Sequence, residues 1–134
     1  MHSFKRLLVS IFLSLSVFLS LSVYADNYSV TIINRIDQPL KFTLHINPEV
    51  LPDYPAQFSL NHHQGLSSKV VDYQKRAYVR VEDNNGHSAY WGIKIENNEV
   101  NIHGYISKGI AFSWDNKQIV FCTPEDYKKN HGCL

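Results

Sequence analysis

Apolar and polar residues alternate with a period of two along much of the chain, and nowhere after Ala25 do apolar residues recur at helical spacing for three turns. Such alternation sends successive side chains to opposite faces of an extended strand, so the pattern predicts an all-β domain. It places strands over 28–34, 40–46, 57–60, 68–73, 76–82, 88–96, 99–106, 110–114 and 117–122, with turn residues between nearly all of them. Short strands at this density point to a small antiparallel β-sandwich of Ig-like or Greek-key type, with a small β-barrel as the alternative. The stretch 47–55 carries Pro48, Pro52 and Pro55 and cannot supply a central ladder, so it reads as a loop crossing between sheets. The stretch 123–132 is polar and has no apolar period, so it reads as a tail.

Residues opposite each other on a ladder share a face, and that parity fixes the register of three hairpins. Placing Ala77, Val79 and Val81 inward together with Ala89, Trp91, Ile93 and Ile95 requires Val81 opposite Ala89. Asn84-Asn85-Gly86 is then a three-residue loop with Gly86 in the left-handed position. The next hairpin turns on Asn97-Asn98 and pairs Ile95 with Val100, Ile93 with Ile102 and Trp91 with Gly104, the glycine leaving room for the indole. A third hairpin is expected at Asp115-Asn116, with Phe112 facing Ile119 and Ile110 facing Phe121.

These registers also decide what faces outward. One row is Arg80, Tyr90, Tyr105, the next is Tyr78, Gly92, His103, and a third is Arg76, Lys94, Asn101. Tyrosine, histidine and arginine around a position without a side chain make a shallow surface that can stack on a sugar or receive a protein loop. Tyr78, Arg80, Tyr90, Gly92, His103 and Tyr105 are therefore the candidate ligand-binding residues.

The N-terminal end departs from the alternation. His2, Lys5 and Arg6 precede an apolar, serine-bearing run over 7–23, and Val23-Tyr24-Ala25 fits a signal peptidase site. Residues 1–25 are expected to be a cleavable signal peptide, an uncleaved anchor being the alternative, and 26–134 a single domain that is periplasmic or secreted. Loss of Lys5 and Arg6 takes 13 basic residues to 11 against 12 acidic ones, a net charge of −1. No basic excess remains to engage nucleic acid. Once the signal is cleaved, no transmembrane span is expected. Cys122 and Cys133, an even pair in an exported chain, are expected to form a disulfide that straps the tail. Asn27-Tyr28-Ser29 fits the N-glycosylation acceptor pattern.

Catalytic and cofactor motifs are absent. Six histidines remain after residue 25, but His-x-His, His-x-x-x-His and Cys-x-x-Cys do not occur, and only His62-His63 form a local cluster. A copper or zinc site would use that pair with a distant His45, His87 or His103. No Gly-x-Ser-x-Gly elbow marks a serine nucleophile. A hydrolase would need a non-contiguous triad, for which Asp72, Glu82 and Asp83 are the available carboxylates. Glu96 and Glu99 flank the Asn97-Asn98 turn and read as solvated charges. The resulting expectation is an exported, non-catalytic binding module without a cofactor, taking a protein or glycan partner. An exported copper or zinc protein is the first alternative, and a small hydrolase the second.

Overall fold

The computed structural model describes residues 28–134, so the expected signal segment 1–25, its cleavage site and Asn27 lie outside the described residues. Among the described residues nine strands are formed: β1 Ser29–Asn34, β2 Leu40–Ile46, β3 Gln57–Leu60, β4 Gly65–Lys69, β5 Ala77–Glu82, β6 Ser88–Glu96, β7 Glu99–Gly104, β8 Ala111–Trp114 and β9 Gln118–Cys122. They lie in two sheets, ordered β4-β1-β9-β8 and β3-β2-β5-β6-β7. Each sheet turns one face inward, and the two faces together bury Val30, Ile32, Phe42, Val79, Trp91, Ile93, Phe112, Ile119 and Phe121. The fold is a β-sandwich, and neither sheet closes into a barrel. Its pairings are not all antiparallel, because β1 runs parallel to β9, with Thr31 opposite Gln118 and Asn34 opposite Phe121.

Parity holds through the middle of the chain. Val81 lies opposite Ala89, and Asp83 N–H donates to His87 O at 3.0 Å to close the 84–86 loop, where Gly86 has φ 81°. Asn97 and Asn98 both take left-handed φ, 53° and 61°, as a two-residue turn between right-twisted strands requires. Trp91 lies opposite Gly104. The space beside Gly104 is filled by the Phe112 ring from the facing sheet rather than by the indole alone.

Four expectations are corrected. The third hairpin turns one residue later, on Asn116-Lys117, so Phe112 faces Phe121 and Trp114 faces Ile119. Asp115 is the cause: its Oδ1 accepts the N–H groups of Lys117 (2.8 Å) and Gln118 (3.0 Å) and caps the turn. The slip is by two residues on the ladder, so the inward residues stay inward. Strand β4 occupies Gly65–Lys69 rather than 68–73. One of its inward residues is Ser68, whose hydroxyl is buried against Asp53 N and Lys69 O, and a polar inward position leaves no apolar alternation to read.

The proline-rich stretch does not cross between sheets, since β2 and β3 are neighbours in one sheet. It makes a single 3-10 turn at Pro48–Val50 and buries Val50, Leu51 and Tyr54. The Tyr54 hydroxyl donates to Leu66 O at 2.8 Å, and burial holds its phenol well above the ordinary range. Among the described residues the chain crosses between sheets at the links β1–β2, β3–β4, β4–β5 and β7–β8 instead.

The tail is a helix, α1, Pro124–Asn130. Thr123 Oγ1 accepts Asp126 N–H at 3.1 Å, Pro124 opens the first turn, and Gly132 N–H returns to Tyr127 O at 2.9 Å. The disulfide Cys122–Cys133 closes the segment onto β9. Ala111, Val120, Cys122 and Cys133 are buried there with Ile33 and Tyr127 against them, a second small core on the outer face of the four-stranded sheet. Among the described residues no helix is long and apolar enough to cross a membrane.

Candidate functional site

Among the described residues, no helix or disulfide covers the outer face of the five-stranded sheet. Its rows follow from the ladder: Arg80 opposite Tyr90, Tyr78 opposite Gly92 and Gly92 opposite His103. Lys94 lies opposite Asn101 on the same face. Part of this face, with residues at and just beyond the strand ends, bounds an open groove of about 390 Å³. Tyr78, Tyr90, Gly92, His103 and Tyr105 all line it, as does Arg76.

Two expected members sit differently. Arg80 lies beside the groove, with its guanidinium carbon 5.9 Å from the Tyr90 ring centroid and its Nε 3.6 Å from Glu82 Oε1. Tyr105 lies past the last ladder pair of β7 and is 84% exposed, so it stands at the rim instead of in a row. Gly92 is not a bare floor either. A Cβ built there would meet Arg76 Cδ at 2.8 Å and Tyr78 Cε1 at 3.0 Å, so the glycine is the trough in which the arginine stem and the tyrosine edge lie.

Arg76 is the residue that the sequence undervalued. Its side chain is only 17% exposed, its Nη2 donates to Asn101 Oδ1 at 3.0 Å, and Glu96 Oε2 lies 4.0 Å away. Glu96 is therefore not a mere solvated charge, for it also draws Lys94 Nζ to 3.8 Å. Ile46 and His45 were missed for a different reason. A β-bulge at His45 shifts the register between Leu44 and Ile46, so that Ile46 comes opposite Tyr78 on the outer face, while the His45 ring stands edge-on to Tyr90 at 6.2 Å. Strict alternation from Leu44 to Ile46 would have turned Ile46 inward.

The metal set does not assemble in the same way. His62 and His63 stack with ring centroids 3.7 Å apart, and His62 Nδ1 lies 3.5 Å from Asp37 Oδ1. Their expected distant partners are engaged elsewhere: His45 with Tyr90, His103 in the groove, and His87 with Asp83. Among the described residues no group of three or more His, Cys, Asp and Glu is gathered to hold a metal ion.

Asp83 and His87 do form a couple, Oδ2 to Nδ1 at 2.7 Å. The other oxygen, Oδ1, accepts the N–H groups of Asn85 (2.9 Å) and His87 (2.8 Å), so the couple ties the hairpin loop. Burial would raise the Asp83 carboxyl, but the hydrogen bonds from the His87 ring and from these two N–H groups outweigh it and hold the group below its ordinary value. The hydroxyls of Ser67, Ser68, Ser107 and Ser113 bond to partners other than His87. Of the other carboxylates, Asp72 accepts Gln74 N–H and Glu82 pairs with Arg80. No described hydrogen bond completes a triad.

Compared with known protein families, characterised proteins and solved structures, the chain matches none of them.

Proposed function

We propose that this is an exported, non-catalytic binding module, periplasmic or secreted, whose ligand sits on the outer face of the five-stranded sheet. The observation that carries the reading is the unequal finish of the two outer faces. One carries the chain's own helix and disulfide, with Tyr127 of the helix packed against the small cluster of Ala111, Val120, Cys122 and Cys133. The other leaves Ile46, Tyr78, Tyr90 and Tyr105 exposed around a groove. Four of the eight exposed large apolar side chains among the described residues lie on this one face, and apolar and aromatic area gathered in a patch is a mark of an interaction surface. Export is supported by the basic-then-apolar start of the chain and by a disulfide, which persists in oxidising compartments.

Changing Tyr90 and Tyr105 together to Ser tests the face. Stability should stay within about 1 kcal/mol, as for surface positions. Binding to display-selected peptides and to an oligosaccharide array, probed with the processed protein from an exporting host, should be lost. A double variant that retains every interaction of the wild type would remove the function from this face.

A further inference from the structure

The five-stranded sheet ends at β7, and that edge is open. Edge strands template pairing with another chain unless they are short, carry proline or lysine, bulge or are covered. The other edges of the two sheets are β3, β4 and β8, and each is blunted. β3 has four residues and comes just after Pro55. β8 also has four and carries the tail, Ser113 Oγ accepting Cys133 N–H at 2.8 Å. β4 ends in Lys69, whose N–H is taken by Asp53 Oδ2 at 2.8 Å. β7 has six residues, Glu99–Gly104, without proline, lysine or bulge. Counting from the two-residue turn that Glu96 and Glu99 close, Glu99, Asn101 and His103 turn their N–H and C=O groups towards β6. Those of Val100, Ile102 and Gly104 therefore point to the free edge, and among the described residues no turn or loop hydrogen bond reaches them.

Two copies of one strand pair antiparallel about a two-fold axis in only a few registers, and side-chain chemistry chooses among them. An axis at Ile102 sets Val100 against Gly104 and Glu99 against Tyr105, and an axis at His103 sets imidazole against imidazole. An axis at Asn101 sets Val100 opposite Ile102 on the inner face and Glu99 opposite His103 on the outer face, each twice by symmetry. Glu99 is the residue that this register serves. It stands directly opposite Glu96, a like-charge pair that costs stability. Glu96 has Arg76 and Lys94 beside it, whereas Glu99 has no ion pair among the described residues. Glu99 and His103 are both exposed and Val100 is half-buried, so all three are open to a partner. We propose that the chain forms a homodimer through β7, about an axis at Asn101, with Glu99 of each copy on His103 of the other. One sheet then runs through both copies, which goes beyond the sheet-face reading and requires no ligand in the groove.

Sedimentation equilibrium of the processed, oxidised protein should show a concentration-dependent doubling of mass. Glu99→Lys should weaken the dimer about tenfold or more, as facing like charges across an interface do, and Glu99→Lys combined with His103→Glu should restore it. Within one copy Glu99→Lys relieves the opposition to Glu96, so the fold is not what the change tests. Register is read separately by cysteine pairing. Directly opposed residues that exchange no hydrogen bond have Cα atoms about 4.5 Å apart, within reach of a disulfide. Glu99→Cys and His103→Cys should therefore cross-link when mixed in a glutathione buffer, and neither should cross-link alone. A monomer at every concentration would overturn the proposal, as would His103→Cys cross-linking to itself. A dimer indifferent to both charge changes would place the contact on another surface and overturn it as well. The sheet-face reading stands or falls separately, on Tyr90→Ser with Tyr105→Ser, two positions outside the paired stretch.

Discussion

Two glycines on adjacent strands do opposite jobs. At Gly104 a Cβ would run into the Phe112 ring and come within 3.1 Å of Trp91 Cβ, all packed core, whereas at Gly92 it would meet the movable Arg76 stem and Tyr78 edge. Gly104→Ala should therefore cost about 1–3 kcal/mol in denaturant unfolding, as overpacking does. Gly92→Ala should stay within about 0.5 kcal/mol and instead lift Arg76 off the sheet. Both glycines stand out in the sequence once the register is set, but what fills the space beside them does not, because Phe112 and Arg76 belong to neither ladder position. Asp83 supplies a pH dependence. Its carboxyl is held below its ordinary 3.8 in the folded protein, so the stabilisation is complete above that value and drains away as pH falls through the lower folded value. Melting temperatures of Asp83→Asn and wild type should differ at pH 6 and draw together as the pH falls below 3.8. A gap that persists unchanged into acid would show that the carboxylate's charge is not what ties the loop.

At the level of the element, hairpins with one register compatible with parity were legible, and Val81–Ala89 and Trp91–Gly104 follow from the sequence alone. Where two registers kept the same parity, as at Asp115, only the side-chain cap distinguished them. The helix was overlooked because a seven-residue segment has too few turns to show a period and buries none of its residues fully. Its signals were of another kind: Thr123 as cap, Pro124 first, Glu125 and Asp126 in the first turn, Lys128 and Lys129 in the last. Thr123→Ala should cost about 1 kcal/mol, read as a lower denaturation midpoint at unchanged slope. A null result would mean that the disulfide alone holds the segment in place.

For the whole molecule, alternation reveals two-faced strands but not which of them meet across long stretches of chain. The partners of β1 are β4 and β9, the latter almost ninety residues away, and no local signal links Ile33 to Val120. The candidate site was legible to the extent that it rests on adjacent hairpins, namely Tyr78, Tyr90, Gly92 and His103. Arg76, Ile46 and His45 join it through a side-chain crossing and a bulge, which only the folded backbone fixes.

The parallel union of β1 with β9 has a mechanical consequence. Because the two strands point the same way, a pull on the N-terminal end of one and the C-terminal end of the other slides them lengthwise, and their hydrogen bonds bear the load together instead of unzipping singly. Tension applied beyond Cys133 passes through the sulfur bridge straight to Cys122 at the end of β9, so α1 is bypassed and feels none of it. In single-molecule stretching of the oxidised protein the helical tail should contribute no extension before the main rupture. Reduction should release the ten intervening residues first: eleven steps of about 3.3–3.6 Å, less the 5.6 Å already spanned between the two cysteine Cα atoms, add roughly 30–35 Å. A tether that lengthens by that amount without reductant would mean the load travels another way.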